Sequence, residues 1–415
     1  MKFSTRVAVI AAASALAVGL AACSSAATSS STAKEPGSVA GPAGDPIVFY
    51  DITDATGLGA VSAAISQFTT GELAAQDHIN AQGGVGGRPI KIVKCDSKAD
   101  PAATTACAQE AVQNKAVAKL GLSVAWGENG FPVLARAGVP SLNPPVNPQD
   151  LQEAGNSYVT GGSSEYEAQV YYAGKTLAAK SAVVFTDENP SGQDQVARVT
   201  KAVQRYGFDM TVTPVYLPSG TADPTPFVAK AVSGKPDVVF TNQSGAQAVS
   251  AYTAFHQQGF PTDRILNQGG AADFDSFFTK VSPEIADGTI FSYAYQNPDD
   301  LSDPQVKLYR DAMQQYAGRD GKSEFSQWGF ANVMTLAEIA KKIGPEKFDA
   351  ASLKAFLTTV DDFPMFMAQP LSRKYATPDA PANLRPQIQV LQYKGGKLET
   401  VQPWFNPYDF MNRAG

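Results

Sequence analysis

The feature that most constrains the fold is an alternation of apolar, strand-like runs with helical segments, which occurs twice along the 415-residue chain. The first series has strand-like runs at 46–51, 89–95, 117–122 and 139–142, with helices near 60–81, 101–114 and 128–137. The second has strand-like runs at 181–187, 210–216, 237–242, 264–268 and 289–294, with helices near 165–178, 192–206, 225–233 and 246–258. Such alternation is typical of parallel sheets covered by helices on both faces. Two series predict an α/β fold with two Rossmann-like, doubly wound lobes.

The chain after the second series favours a return between the lobes rather than a third domain. Residues 304–360 are helical in pattern, and "PQIQVLQYKGGKLETV" predicts a hairpin around Gly395-Gly396. In open α/β sheets, ligands bind beyond the carboxyl ends of the strands. Two lobes that face each other with these edges would form a ligand cleft, lined by the loops 51–59, 122–129, 143–149, 187–192, 242–246 and 267–272.

The glycine-rich stretch "INAQGGVGGRPIKIVKCD" raises the question of a phosphate site. Apolar residues before the glycines follow a helical period, whereas Ile90 and Ile92 after them alternate as in a strand. A phosphate loop needs the opposite order, with the glycines before a helix whose free N–H groups bind the anion. We therefore expect Gly83 or Gly84 to end a helix in the left-handed conformation instead.

The N-terminus has the pattern of a targeting segment. Lys2 and Arg6 precede an apolar stretch at 7–19 that is too short to span a bilayer. It ends in "LAAC", which resembles a bacterial lipobox and implies a signal peptide at 1–22 and a lipid on Cys23. The alternative is an ordinary secretory peptide, with Cys23 incidental. Residues 23–45, rich in Ser, Ala, Thr, Gly and Pro, predict a flexible tether to the outer face of the cytoplasmic membrane.

The remaining cysteines, Cys95 and Cys107, favour a disulfide, because a secreted chain with an even pair usually forms one. Zinc needs about four ligands, and the only histidines are His78 and His256. We therefore expect neither a metal nor another cofactor. The chain has no G-x-S-x-G elbow and no H-E-x-x-H motif, so no catalytic residue is assigned and no enzyme is predicted. A net charge of −6 without a basic run also argues against nucleic acid as a partner.

One segment carries a family resemblance. "GELAAQDHINAQGGVGGRPIKIVKCDSKADPAATTACAQEAV" resembles the opening of type I periplasmic binding proteins of the leucine/isoleucine/valine-binding class. "ARAGVPSLNPPVNPQDL" is similar to the family's next strand and binding loop, and "SAVVFTDENPSGQDQ" to its first second-lobe strand. The resemblance covers roughly 46–345.

The resemblance implies a lipid-anchored receptor that passes a small solute to the permease and ATPase of an ABC importer. It also implies three crossover segments between the lobes. With these, we expect the first lobe to comprise 46–162 plus 293–362, and the second lobe 163–292 plus 363–415. In the family, hydroxyls and N–H groups of the first lobe hold the ligand carboxylate, and an acidic side chain of the second lobe holds its ammonium.

The family's binding loops, carried onto this chain, together with aromatic residues that could form walls of the candidate pocket, predict ten ligand-binding residues. These are Ser123, Trp126, Asn147, Ser191, Asn242, Gln243, Gln268, Gly269, Tyr293 and Trp328. Each has a structural alternative, since loop amides cap turns and aromatic side chains fill cores.

The family's acidic position falls on Gln268-Gly269-Gly270, where no carboxylate stands. A buried ammonium without a partner is costly. The solute is therefore expected to be carboxylated or aromatic, amino-acid-like in size, and different from leucine. Two other functions stay open: a lipid-anchored sensor with the same fold and, less favoured, a secreted hydrolase.

Overall fold

The apolar runs of the first series form one parallel sheet. The structure, a computed structural model, describes residues 35–57, 61–122, 125–143, 155–218, 221–271, 273–377 and 380–411. Over these residues the first sheet contains β1 (Ile47–Thr53), β2 (Ile90–Asp96), β3 (Ala118–Leu120), β4 (Ser141–Asn143) and β5 (Ser157–Val159), in the order β2-β1-β3-β4-β5. All neighbours are parallel. The strand order reverses between β1 and β3, which places a crevice beyond the ends of these two strands.

The second series forms a larger, mixed sheet. In the described part of the chain it contains β6 (Ser181–Asp187), β7 (Thr211–Leu217), β8 (Val238–Thr241), β9 (Ile265–Gln268), β10 (Ile290–Tyr293), β11 (Ile388–Lys394) and β12 (Lys397–Phe405). Their order is β12-β11-β10-β9-β8-β6-β7. Strands β6 to β10 run parallel, whereas the hairpin β11–β12 is antiparallel. Here the order reverses between β6 and β8.

Helices connect the strands. Those of the first series are α1 (Val61–Ala81), α2 (Pro101–Gln113) and α3 (Gly127–Ala137), and those of the second are α4 (Glu165–Lys175), α5 (Pro190–Tyr206), α6 (Thr225–Ser233), α7 (Gly245–Gln257) and α8 (Pro283–Ala286). The later helices are α9 (Pro304–Ala312), α10 (Glu324–Ile343) and α11 (Ala350–Thr359). Among the residues that can be described, no helix is both long and apolar enough to cross a bilayer.

The predicted α/β class with two doubly wound lobes is confirmed, including the hairpin around Gly395-Gly396. The glycine loop ends α1 as expected. Gly84 is left-handed with φ 71°, and its N–H donates to the carbonyl of Ile79 at 3.0 Å. Strand β5 is the exception, since no strand is predicted there. Three residues are too few to show a period, and β5 exists because Tyr158 and its neighbours pair with β4.

The predicted disulfide is also confirmed. Cys95, near the end of β2, is bonded to Cys107 in α2, with their Cα atoms 5.8 Å apart. Asp100 begins α2 by accepting a hydrogen bond from the N–H of Ala103 at 2.7 Å. The cap and the disulfide together fix α2 against the edge strand of the first sheet.

The two longest helices, α1 and α10, cross at glycines. A Cβ added to Gly71 of α1 would overlap the carbonyl oxygen of Ser326, and one added to Gly329 of α10 would overlap that of Phe68. The backbones can approach this closely only because both positions lack a side chain. Helix α10 therefore joins the first lobe, although it follows the second lobe in the sequence.

We expect Gly329→Ala to destabilise the protein by about 1–3 kcal/mol, because the added methyl must push the two backbones apart. Helix propensity alone would give the opposite sign, since Ala is favoured over Gly inside a helix. Urea unfolding of both forms measures the difference. The matched control is Gly234→Ala, where φ is −81° and nothing lies within 4 Å of the added Cβ. Equal stability of the Gly329→Ala variant and the wild type would contradict this packing.

Candidate functional site

On the first lobe, the loops beyond β1 and β3 are organised by one buried carboxylate. Asp54 follows β1 and accepts hydrogen bonds from the Ser97 hydroxyl (2.5 Å), the Ala99 N–H (3.0 Å) and the Ala125 N–H (2.7 Å). Asp54 therefore ties three loops together. Trp126, which precedes α3, donates its indole N–H to the Ala99 carbonyl at 2.9 Å while 41% of its surface stays exposed. Trp126 is therefore an exposed aromatic side chain whose position is fixed by a hydrogen bond.

On the second lobe, the ends of β6 and β8 are joined by side chains. Thr186 donates to Oδ1 of Asn242 at 3.2 Å, and Nε2 of Gln243 donates to Oδ1 of Asp187 at 3.1 Å. The other amide atom of Gln243, Oε1, is buried without a hydrogen-bond partner. An unpaired buried acceptor at the strand ends is suited to a donor on a ligand.

A buried arginine holds the three crossovers together. These crossovers follow β5, follow β10 and precede β11. Arg385 of the third crossover is fully buried, and it donates from Nε to the Thr160 carbonyl (2.9 Å) and from Nη1 to the Ala294 carbonyl (2.6 Å). Its guanidinium also stacks on Tyr295, 4.9 Å from the ring centre. One side chain thus fixes the backbone of all three segments between the lobes.

Two buried glutamates lie beside this arginine. Glu324 begins α10, and its Oε1 accepts from the N–H of Ala294 at 2.5 Å. A Cβ added to Gly269 would overlap the Glu324 carboxylate, so this side chain lies directly on the loop beyond β9. Glu165 begins α4 and lies next to Gly162, against which the ring of Trp328 also packs.

Four buried side chains meet at this place: Glu165, Glu324, Trp328 and Arg385. Trp328 makes a side-chain hydrogen bond to Glu324, which acts against the rise in the pKa of that carboxyl. We call these four side chains the hinge cluster. Oε1 of Glu165 is buried without a hydrogen-bond partner, and an unpaired acceptor at the junction of the lobes is suited to a donor on a ligand.

Burial shifts the ionisation of both acids. Loss of hydration raises the pKa of Glu324 to about 8, although the Ala294 N–H and Arg385 act in the opposite direction. Loss of hydration also raises the pKa of Glu165 well above its usual value, and the neighbouring charge of Glu324 raises it further. The first lobe holds a second acid pair, since burial raises the pKa values of Asp51 and Glu72 near the buried Lys119.

A groove of the first lobe lies elsewhere. It has a volume of about 830 Å³ and is lined by residues such as Val139, which precedes β4, and Lys354 of α11. Val139 marks the amino end of the strands, whereas ligands of open parallel sheets bind at the carboxyl end. This groove therefore does not belong to the candidate site.

Comparison with known proteins decides the family. The sequence profile of the family described as periplasmic binding protein matches residues 52–395. This chain is a periplasmic binding protein. Its fold is that of type I members with two lobes, as the resemblance in the sequence implies.

Similar proteins span between two thirds and nearly nine tenths of this chain. An amino acid binding protein of Pseudomonas aeruginosa is 26% identical over 288 residues, which cover 67% of this chain and 74% of that one. A leucine binding protein from Thermotoga maritima has a TM-score of 0.69 at 21% identity, covering 88% of this chain and 99% of that one. A solute binding protein of R. palustris, solved with 4-hydroxybenzoate, has a TM-score of 0.71 at 17% identity and covers 87% and 97% of the two chains.

The structure places the sequence-predicted binding residues of this periplasmic binding protein in different settings. Asn242 and Gln243 lie together at the second-lobe edge, Gly269 adjoins the hinge cluster and Trp328 belongs to it. Gln268 is half-buried beside Gly269, and Ser191 is exposed in the first turn of α5. Tyr293 is fully buried and donates its hydroxyl to Gln327 at 2.5 Å. Ser123 and Asn147, like Cys23, lie outside the described residues.

The hinge cluster contains acids that the sequence argument missed. No carboxylate occurs at Gln268-Gly269-Gly270, but Glu324 of the facing helix reaches this part of the loop. The argument that an acid is absent from this place is therefore wrong. The sequence does indicate that Glu324 lies near Trp328, because a spacing of four residues places both on one face of the predicted helix. Arg385 gave no signal, since it lies in a Pro-rich segment without a period.

We expect the stability of the wild type to fall more steeply between pH 5 and pH 8 than that of Glu324→Gln. Because folding raises the Glu324 pKa from its usual 4.5 to about 8, the folded state holds the proton more tightly, and this stabilisation is lost as the pH rises through that window. Gln keeps an oxygen for the Ala294 N–H but does not titrate. Melting temperatures of both forms at several pH values measure the effect.

The control is Glu338→Gln, an exposed position of the same helix that pairs with Lys341. Its melting curve should follow that of the wild type at every pH. Parallel pH profiles for the wild type and Glu324→Gln would contradict the raised pKa.

Proposed function

We propose that this periplasmic binding protein is an extracytoplasmic lipoprotein that binds one small organic solute between its lobes and delivers it to an ABC importer. The observation that carries the proposal is the group of buried polar side chains, the hinge cluster, where the three crossovers meet. A hinge of three segments allows two lobes to close on a ligand, and the ligand then stabilises the closed form.

The solutes named for similar proteins support the choice of solute class. The relative from Pseudomonas aeruginosa is an amino acid binding protein, and the R. palustris protein was solved with an aromatic carboxylic acid. The amide of Gln243, the indoles of Trp126 and Trp328 and the hinge cluster suit a solute of that size with polar groups and an apolar or aromatic part. We therefore propose an amino-acid-like, carboxylated or aromatic solute. The ten sequence-predicted residues remain proposals for its contacts.

The partners follow from the same proposal. A receptor of this kind hands its solute to a permease driven by an ATPase, and it contacts the membrane only through its lipid. A lipid-anchored sensor would use the same lobes but act on a signalling receptor instead. Co-purification of the detergent-solubilised protein with a permease distinguishes the first role from the second. Turnover of a bound compound would favour the third candidate, a secreted hydrolase.

We expect at least one small solute to raise the melting temperature of the mature protein. A ligand at a hundredfold excess over its dissociation constant stabilises the folded state by about 2.7 kcal/mol. A thermal-shift screen should include leucine, phenylalanine, 4-hydroxybenzoate, other aromatic acids, sugars and polyols. Trp126→Ala should weaken the binding of any ligand found, whereas Leu301→Ala, at an exposed apolar position, should not. Unchanged affinity in the Trp126→Ala variant would show that the Trp126 side chain is not part of the site.

The lipid anchor is tested separately. We expect Cys23→Ser to release the protein from the membrane fraction, because the lipid on this cysteine would be its only attachment. Fractionation of cells followed by detection of the protein measures its distribution. A variant that stays in the membrane fraction like the wild type would disprove anchoring through Cys23. The solute-binding proposal does not depend on this result.

A further inference from the structure

The turn that follows β2 has a strained backbone. Lys98 and Ala99 are both left-handed, with φ angles of 57° and 50°, a conformation that residues with a side chain rarely adopt. Two such residues in succession persist only where their surroundings hold them. We call residues 96–100 the strained turn.

Two carboxylates hold the strained turn. Oδ1 of Asp96 accepts a hydrogen bond from the N–H of Lys98 at 2.9 Å, and it also accepts one from the N–H of Thr56 at 3.1 Å. Oδ1 of Asp54 accepts a hydrogen bond from the N–H of Ala99 at 3.0 Å. Because Asp54 and Thr56 both follow β1, the turn is tied to the loop at the carboxyl end of that strand.

Asp54 also fixes Trp126, through a closed cycle of hydrogen bonds. Oδ2 of Asp54 accepts from the N–H of Ala125, the residue before Trp126, at 2.7 Å. The indole N–H of Trp126 donates to the carbonyl of Ala99 at 2.9 Å, and the N–H of Ala99 donates to Oδ1 of Asp54. Asp54 is fully buried, whereas 41% of the Trp126 surface is exposed. An exposed side chain normally samples several rotamers, but here one buried group holds both the backbone before Trp126 and its indole.

We propose that Asp54 is a positioning residue of the solute site, and that it holds the indole of Trp126 as a preformed wall for the flat or apolar part of the solute. This role rests on the proposed function. Trp126 lies beyond β3, at the edge where ligands of such sheets bind. A wall that is ordered before the ligand arrives loses less conformational entropy on binding. Asp54 acts through Trp126 and is not assigned a contact with the solute.

An asparagine at position 54 opens the cycle. It keeps the size of the side chain but exchanges one acceptor oxygen for an NH2 group, which cannot accept a hydrogen bond. Whichever way the amide is turned, either Ala99 or Ala125 loses its acceptor. The matched control is Asp349→Asn, because Asp349 accepts from the N–H of Ser352 at 2.8 Å in the groove at the amino ends of the strands. This control should match the wild type in both measurements that follow.

The indole N–H of Trp126 reports the cycle without any ligand. In ¹⁵N-labelled protein we expect it to exchange slowly with water although the side chain is exposed, and to exchange about tenfold faster in Asp54→Asn. Its signal is assigned by its absence in Trp126→Phe, and the indole signals of Trp328 and Trp404 should keep their positions if the change is local. Equal exchange in the wild type and Asp54→Asn would overturn the positioning role. Rapid exchange in the wild type would do the same, even if the variant fails to fold.

Binding is compared in two backgrounds to separate positioning from a general effect on the fold. The probes are the compounds of the thermal-shift screen, of which phenylalanine and 4-hydroxybenzoate carry an aromatic ring. Asp54→Asn should weaken the tightest of them about tenfold, as expected for the loss of one hydrogen bond to a charged group. In the Trp126→Ala background the same substitution should have little further effect, because the side chain on which Asp54 acts is gone. Equal losses in both backgrounds would mean that Asp54 only supports the fold.

The two proposals fail in different ways. If Asp54→Asn speeds the exchange of the indole N–H but leaves the affinity unchanged, the preformed wall is disproved while the receptor stands. If no compound of the screen binds to the wild type, the proposed function fails and the role of the wall fails with it.

Discussion

The hydrogen bonds of the Arg385 guanidinium hold together the three segments that connect the lobes. A fully buried charge is expensive unless its donors are paired, and Arg385 meets this cost with carbonyls from the first and second crossovers. Because it belongs to the third crossover, it makes one unit of three segments that are far apart in the sequence. When one lobe moves relative to the other, we expect the backbone to bend next to the three joined segments and not within them.

The position of α10 has a comparable effect on the site. The glycines at 71 and 329 bring its backbone against α1, and this contact sets where Glu324 and Trp328 project. Ligand contacts in α/β proteins are usually expected from the loops at the strand ends of each lobe, and Glu324 instead reaches such a loop from a helix. Here the space beside Gly269 is filled by the carboxylate of Glu324 from the facing helix, and a side chain at position 269 would exclude it.

The sequence predicted the parts of this molecule that depend on local pattern. Strand β6 is found at 181–187 as predicted, α6 at 225–233, and the hairpin turns at Gly395-Gly396. Period, turn residues and the spacing of Cys95 and Cys107 are all short-range signals. The hinge cluster joins Glu165, Glu324 and Arg385, which are between 61 and 220 positions apart in the sequence. No local sequence pattern encodes such a contact. The positions of the strand ends could therefore be predicted, whereas the meeting of these buried side chains between the lobes could not.

The order of the strands has a consequence for how the chain is made. Strand β11 pairs with β10, and Leu384 of the last crossover donates to the carbonyl of Val159 in the first sheet. Neither sheet therefore has all of its backbone hydrogen bonds until residues 380–405 are in place. During vectorial synthesis or export, the N-terminal βα units emerge first but keep open edges until residues 380–405 arrive. Such open edges invite incorrect pairing, so this architecture requires that the emerging chain be kept from folding to completion, or from associating, until its last strands have been released.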